Sequence, residues 1–213
     1  MLDFDGTLSP GYISVAFMER LHEVGLYCSE IYQQQRALLA DYENGGLSHE
    51  DWVERWGELW AAGLKGKQTA AVENEAAAFF EEFKDAIFTE SKELVERLTL
   101  ERLRSVMLSA GAQEVVQRSG EHLGVDSVLA TRAESREGVY TGVLLTDVHT
   151  PAGKGRVMRD LVDRQGPPVF AFGDSSGDMN TLALAIYPVA LNPSTELETV
   201  AKERGWTVLR SDG

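Results

Sequence analysis

The sequence predicts an α/β protein: a doubly wound parallel sheet interrupted early by an inserted helical domain. Three observations carry this expectation. From Ser105 to Leu209, short apolar and β-branched runs alternate with helical stretches, the pattern of successive βαβ units. From Gly11 to Lys92, apolar residues recur at spacings of three and four, as in consecutive amphipathic helices. The 213 residues, 43% of them hydrophobic, suffice for one sizeable core and a small satellite. On this division, residues 1–10 and 93–213 form the sheet domain and residues 11–92 the helical insertion.

Taken in order, the chain opens with Met1 and Leu2 ahead of Asp3-Phe4-Asp5-Gly6-Thr7. The helical stretch is marked by Val15/Met18/Leu21, Ile31/Leu38 and Trp52/Trp56/Trp60. Its breaks fall at Gly25, Asn44-Gly45-Gly46 and Gly63 to Gly66, where glycine supplies the positive φ that ends a helix. The tryptophan stripe is expected to be core of the insertion, and His49 a solvated residue of the same helix's first turn. The strand-like runs are Ser105–Leu108, Val128–Ala130, Val169–Phe172, Val189–Leu191 and Thr207–Leu209. Val139–Leu145 reads as a small antiparallel excursion, and Lys154–Arg164 as a helix with Val157, Leu161 and Val162 on one face.

Composition excludes several classes of function. A net charge of −14 repels a phosphate backbone, so nucleic acid is not an expected partner. No window reaches the ~18–20 consecutive apolar residues of a membrane span. The single cysteine, Cys28, cannot form an internal disulfide, and no apolar leader follows a positive start, so a reducing cytoplasm is the expected location. The strand entering the first motif should be central and buried on both faces, and strands typically run ~5–6 residues. Two residues would leave neighbouring strands unpaired at ~1–3 kcal/mol per buried group. The expectation is therefore a native chain that begins several residues earlier with an apolar run, of which these 213 residues are a truncated or renumbered version.

In doubly wound sheets, ligands sit outside the carboxyl ends of the strands. Those positions hold Asp3, Asp5, Ser109, Lys154, Asp174 and Asp178. Four clustered carboxylates are tolerable only when a cation and a lysine neutralise them. Oxygen ligands favour a hard ion such as Mg²⁺, which shares its coordination with phosphate, so the inferred substrate is a phosphoryl group. Each residue also has a plainer reading. Asp174 and Asp178 could cap a helix starting near Ser176, Ser109 could cap the helix through Val115 and Val116, and Lys154 could be a solvated helix residue.

Taken together the motifs resemble the haloacid dehalogenase superfamily of hydrolases, in its phosphoserine phosphatase-like subclass. Asp3-Phe4-Asp5-Gly6-Thr7-Leu8 looks like the nucleophile motif and Leu108-Ser109-Ala110-Gly111 like the phosphate-binding motif. Gly153-Lys154-Gly155 resembles the lysine motif and Gly173-Asp174-Ser175-Ser176-Gly177-Asp178 the metal motif. The roughly 100 residues between Thr7 and Ser109 match the subclass's helical cap, and the 44 between Ser109 and Lys154 leave little room for a cap elsewhere. The resemblance implies a Rossmann-like core and a Mg²⁺-dependent phosphatase acting on a small phosphomonoester through an aspartyl-phosphate. Asp3 is then the nucleophile and Asp5 the acid/base. Asp3, the Asp5 carbonyl and Asp174 hold Mg²⁺. Thr7, Ser109 and the amides of Ala110 and Gly111 take the phosphoryl oxygens, Lys154 neutralises them, and Asp178 orients Lys154 or a metal-bound water.

Both carboxylates must reach one phosphorus from different directions, so the chain should leave strand geometry at Phe4-Asp5-Gly6. A phosphotransferase or mutase is the near rival. A phospho-receiver signalling domain is the rival of another class, but it would need neither the insertion nor the first motif. Two departures weigh against phosphoserine itself. Tyr12 stands near the place of an acidic cap residue, and Gly177 near that of an asparagine. From Gly11 to Glu93 there are 16 Asp and Glu against 7 Lys and Arg. Such acidity is usually a solvated face, but lining the cleft it would favour a leaving group bearing an amine.

Overall fold

The structure is a computed structural model describing residues 1–146 and 148–210. Its strands are β1 (Val106–Ala112), β2 (Ser127–Thr131), β3 (Ala133–Arg136), β4 (Val139–Leu144), β5 (Phe170–Gly173), β6 (Tyr187–Leu191) and β7 (Thr207–Leu209). β1 pairs with β2, β5 with β6 and β6 with β7, each in parallel. The gap between β1 and β5 is closed by the N-terminal segment, in which Leu2 bridges Met107 on one side and Phe172 on the other, again in parallel. The order across the sheet is therefore β2, β1, Met1–Asp3, β5, β6, β7. Asp3 thus emerges at the centre, where the parallel order changes direction.

Although short, this central segment is well paired. Leu2 donates its amide to the Val106 carbonyl at 2.8 Å and accepts from the Leu108 amide at 2.8 Å. Asp3 donates to the Phe172 carbonyl at 3.0 Å, and Met1 accepts from the Phe172 amide at 3.0 Å. The Met1 ammonium donates to the Phe170 carbonyl at 2.9 Å, and burial holds its pKa down to about 6. A cavity of about 210 Å³ lies at this amino end of the strands, between Met1, Leu98, Met158, Val162 and Phe170. The expectation of residues ahead of Met1 lies outside the described residues.

The helices are α1 (Ile13–Glu23), α2 (Ser29–Glu43), α3 (His49–Leu64), α4 (Thr69–Phe83), α5 (Thr89–Leu100), α6 (Gln113–Leu123), α7 (Pro151–Gln165), α8 (Met179–Leu182) and α9 (Thr195–Arg204). The expected boundary at residues 92/93 falls inside α5, whose start is anchored to the first motif: the Phe88 amide and the Ser91 hydroxyl both donate to the Leu8 carbonyl. β3 and β4 form the antiparallel excursion. This hairpin is stitched to the turn before α4: Gly66 donates to Tyr140, Tyr140 to Lys67 and Thr69 to Gly138, all main chain to main chain.

The helical insertion does not have a separate core. Phe17, Trp60 and Phe79 belong to the same continuous cluster as Leu2, Phe4 and Met107 of the sheet. The smaller satellite lies instead within the sheet region, where Ala171 and Ala190 pack with Leu182, Leu197 and Ala201. Among the described residues, no helix is long and apolar enough to cross a membrane.

Candidate active site

Beyond Asp3 the chain turns back on itself, as the first motif requires. The Phe4 carbonyl accepts the amides of Thr7, Leu8 and Ser9, and Gly6 adopts φ +81°. A Cβ at Gly6 would sit 2.2 Å from Asp174 Oδ2, so glycine is demanded by both backbone and space. The turn carries Asp5 to the start of α1, where its Oδ1 accepts the Ile13 amide at 2.8 Å. A carboxylate is favoured at this positive end of the helix dipole.

Lys154 comes from the first turn of α7, which starts with Pro151 and is capped by the Thr150 hydroxyl accepting the Gly153 amide. The lysine is 6% exposed. Its Nζ donates to Asp3 Oδ1 at 2.6 Å and to Asp178 Oδ1 at 2.8 Å. Asp178 is fully engaged, because its Oδ2 accepts the amides of Asp174 and Ser175 and the Ser175 hydroxyl. The capping reading of Asp178 therefore holds alongside its bond to Lys154, and one side chain satisfies both. Asp174 makes no such cap; its Oδ1 accepts the Thr7 hydroxyl at 3.0 Å.

Ligand atoms of Asp3, Asp174 and Asp178 lie within 4.8 Å of one another. Burial first, then Asp178, pushes Asp3 up to about 6. Burial, then Asp3 and Asp178, pushes Asp174 up to about 9. Burial draws the Lys154 ammonium down, but Asp178 and Asp3 outweigh it and hold it above its ordinary value. Two buried carboxylates and the half-buried Asp174 thus gather around one ammonium. Asp178 takes up Lys154 and the Asp174–Ser175 turn, while Asp174 accepts the Thr7 hydroxyl. An all-oxygen set with surplus negative charge fits a hard divalent cation. Asp5 is raised to about 7, mainly by burial and against the pull of the Ile13 amide.

Asp3, Asp5 and Lys154 line a cavity of about 60 Å³ together with Ala110 and Gly111. The rings of Tyr12, His49, Trp52, Trp56 and His149, with Val53, make up its aromatic wall. Thr7, expected at the phosphate, is fully buried, and its hydroxyl lies between the carboxylates of Asp3 and Asp174. Ser109 does not cap α6, correcting that reading: it lies in β1, and its Oγ accepts the Gly111 amide at 2.9 Å. Where β1 passes into α6, the Ser14 Oγ accepts the Ala112 amide at 2.7 Å.

His49 is not a solvated residue; it is half-buried, lines the cavity, and its Nδ1 lies 3.3 Å from the Tyr42 hydroxyl. The tryptophan stripe is core as expected, with Trp52, Trp56 and Trp60 all in the main buried cluster, and Trp52 and Trp56 line the cavity as well. His149 is a lining residue that the sequence did not signal. It sits in the loop before α7 against Gly57, where a Cβ would come within 2.5 Å of its ring. A glycine on the exposed-to-buried face of an amphipathic helix was the available hint.

The comparisons with known proteins agree with this geometry. A family model described as haloacid dehalogenase-like hydrolase matches residues 1–183. Phosphoserine phosphatase SerB1 of Mycobacterium tuberculosis is 33% identical over 105 residues, covering 48% of this chain and 34% of that protein. The chain spans about a third of the length of the mycobacterial relatives of this kind. A histidinol-phosphatase of Neisseria meningitidis serogroup C is 25% identical over 222 residues, covering 98% of this chain and 96% of the relative. Among solved structures, a protein of unknown function from Bordetella pertussis Tohama I superposes with a TM-score of 0.81 at 22% identity, covering 98% of this chain and 96% of that one. A phosphoserine phosphatase with a phospho-aspartyl intermediate analogue gives 0.65 at 20% identity, covering 98% and 90%. With its motifs gathered at one end of one sheet and the family model spanning most of its length, the chain belongs to the haloacid dehalogenase-like hydrolases.

Proposed function

We propose that the protein is a Mg²⁺-dependent phosphatase of a small phosphomonoester, acting through an aspartyl-phosphate on Asp3. The observation that carries this reading is the clamp of Lys154 on Asp3, with Asp3 and Asp5 lining one cavity. A carboxylate oxygen of Asp3 bonds to phosphorus as the bond from phosphorus to the leaving oxygen breaks, and the Asp5 carboxyl gives that oxygen its proton. Asp5, now ionised, takes a proton from the water that attacks the acyl phosphate, so that inorganic phosphate departs and Asp3 is restored. A group raised to about 7 can serve in both directions near neutral pH.

Asp3, the Asp5 carbonyl and Asp174 would hold Mg²⁺, which supplies charge neutralisation to the attacking carboxylate and the phosphoryl oxygens. Lys154 contributes positive charge at the same oxygens, and Thr7 fixes the relative orientation of Asp3 and Asp174. Ser109, its oxygen occupied by the Gly111 amide, keeps its hydroxyl hydrogen to donate. Residues 11–92 act as the cap, and a reducing cytoplasm remains the proposed location. The test is phosphate release from a panel of phosphomonoesters with Mg²⁺ and with chelator. Release that needs Mg²⁺ and is absent in Asp3→Asn is expected; release that survives Asp3→Asn contradicts the assignment.

A further inference from the structure

We infer that Tyr12, Trp52 and Trp56 form a leaving-group subsite that selects phosphomonoesters of an organic cation, held against ring faces rather than by a carboxylate partner. The inference rests on the phosphatase reading and adds to it the chemistry of the alcohol.

The wall opposite the catalytic carboxylates is aromatic and rigid. Trp52 is 3% exposed and Trp56 7%. Tyr42 stacks on Trp52 at 4.4 Å between centroids and 4° between planes, while Tyr12 meets it edge-on at 4.7 Å and 60°. Trp56 tilts against the same indole at 5.8 Å. The indole is therefore held in place before any ligand arrives, which lowers the ordering cost of binding. Trp52 Nε1 has no hydrogen-bond acceptor among the described residues, although it is buried.

The aromatic wall itself carries no lysine or arginine. Among the lining residues the sole lysine, Lys154, is paired with Asp3 and Asp178, and there is no arginine to receive a carboxylate on the leaving group. Burial holds His49 and His149 below the ordinary histidine value, so neither adds competing positive charge at neutral pH. The carboxylates of Glu54 and Glu58 act on His149, and Lys154, then Asp178 and Glu196, act on His49. Pre-set indole and phenol rings with no competing lysine or arginine on the wall are the setting in which a cation–π contact is favoured. A zwitterion such as phosphoserine brings a carboxylate for which this wall offers no arginine or lysine.

The test uses the whole chain with Mg²⁺ and compares kcat/KM for phosphocholine with that for its neutral carbon isostere, 3,3-dimethylbutyl phosphate. L-histidinol phosphate and O-phospho-L-serine are run beside them, and p-nitrophenyl phosphate reports phosphatase competence. The expected result is a preference of about tenfold or more for a cationic ester over the neutral isostere and over phosphoserine. Trp52→Leu should reduce that ratio to within about threefold, and Trp52→Phe should retain most of it. Hydrolysis of p-nitrophenyl phosphate without any cation preference overturns the subsite and leaves the phosphatase standing. Loss of the preference in neither tryptophan variant also overturns it, and failure to hydrolyse any ester removes the phosphatase reading and the subsite together.

Discussion

The cavity has two sides built by opposite means. Its floor is made of charges whose positions are set by backbone: the ends of the central strands, one tight turn and the first turn of α7. Its wall is made of rings whose positions are set by packing along α3 and by the loops at Tyr12 and His149. On the floor the carboxylates and the lysine are held by specific hydrogen bonds, so changing one residue there shifts charge and chemistry. On the wall the residues contact one another, so changing one alters shape and preference while leaving the reaction available.

Asp3→Asn should produce the largest effect, abolishing turnover, with Asp5→Asn slowing it by ~10²-fold or more. Steady-state phosphate release with p-nitrophenyl phosphate separates the two, because an activated leaving group needs little acid assistance and should partly rescue Asp5→Asn but not Asp3→Asn. Trp52→Leu and Trp56→Leu, assayed with the same ester, should stay within about tenfold of the parent.

Lys154→Met should come next. Removing it leaves Asp3 and Asp178 buried without their shared ammonium, and breaking a buried pair on one side typically costs ~3–5 kcal/mol. Urea unfolding without metal measures the loss, and added Mg²⁺ should restore part of it. In the stripe, Trp60→Ala should cost a comparable ~3–5 kcal/mol as a core cavity. Trp52→Leu, in contrast, should be felt more in kcat/KM for a cationic ester than in the unfolding midpoint.

Millimolar Mg²⁺ should raise the melting temperature of the parent, since a ligand at about 100 times its Kd contributes ~2.7 kcal/mol to the native state. The rise should vanish in Asp174→Asn and persist in Trp52→Leu; an unchanged melting temperature in the parent would show that the carboxylates do not form a metal site. The smallest effect expected is one of pH. Asp3, Asp5 and Asp174 keep their protons to about 6, 7 and 9 in the native state, well above the ordinary carboxylate value. The metal-free native state therefore binds more protons than the unfolded chain across that span, and stability should fall as pH rises from about 4 to about 9. Melting curves at several pH values, with chelator and with Mg²⁺, check this, the metal being expected to flatten the alkaline decline.

The difference between floor and wall also explains what the sequence disclosed. Asp3, Asp5, Lys154, Asp174 and Asp178 are legible because strand ends and helix starts are local features, and a parallel sheet brings such ends together whatever lies between. The protein partners of Thr7 and Gly111 were not legible, because a hydroxyl or an amide can serve several acceptors and only tertiary geometry selects among them. The wall was the least legible part. Periodicity places Trp52, Trp56 and Trp60 on one face of α3, but not the point along that face where core gives way to cavity. His149 and His49 reach the site through a loop and a helix end, positions for which spacing carries no information. The central segment Met1–Asp3 gives the same lesson for the fold, since its pairing on both sides comes from neighbours more than 100 residues away.

The central claim is that the Asp3 carboxylate takes the phosphoryl group. The direct measurement is a borohydride quench of the protein during turnover with Mg²⁺ and p-nitrophenyl phosphate, followed by peptide mass mapping. Hydride reduces an acyl phosphate to the alcohol, so conversion of Asp3 to homoserine in the N-terminal peptide, absent without substrate and absent in chelator, is the expected result. Modification at Asp5 or Asp174 in its place, or steady turnover with Asp3 unmodified, would contradict the assignment.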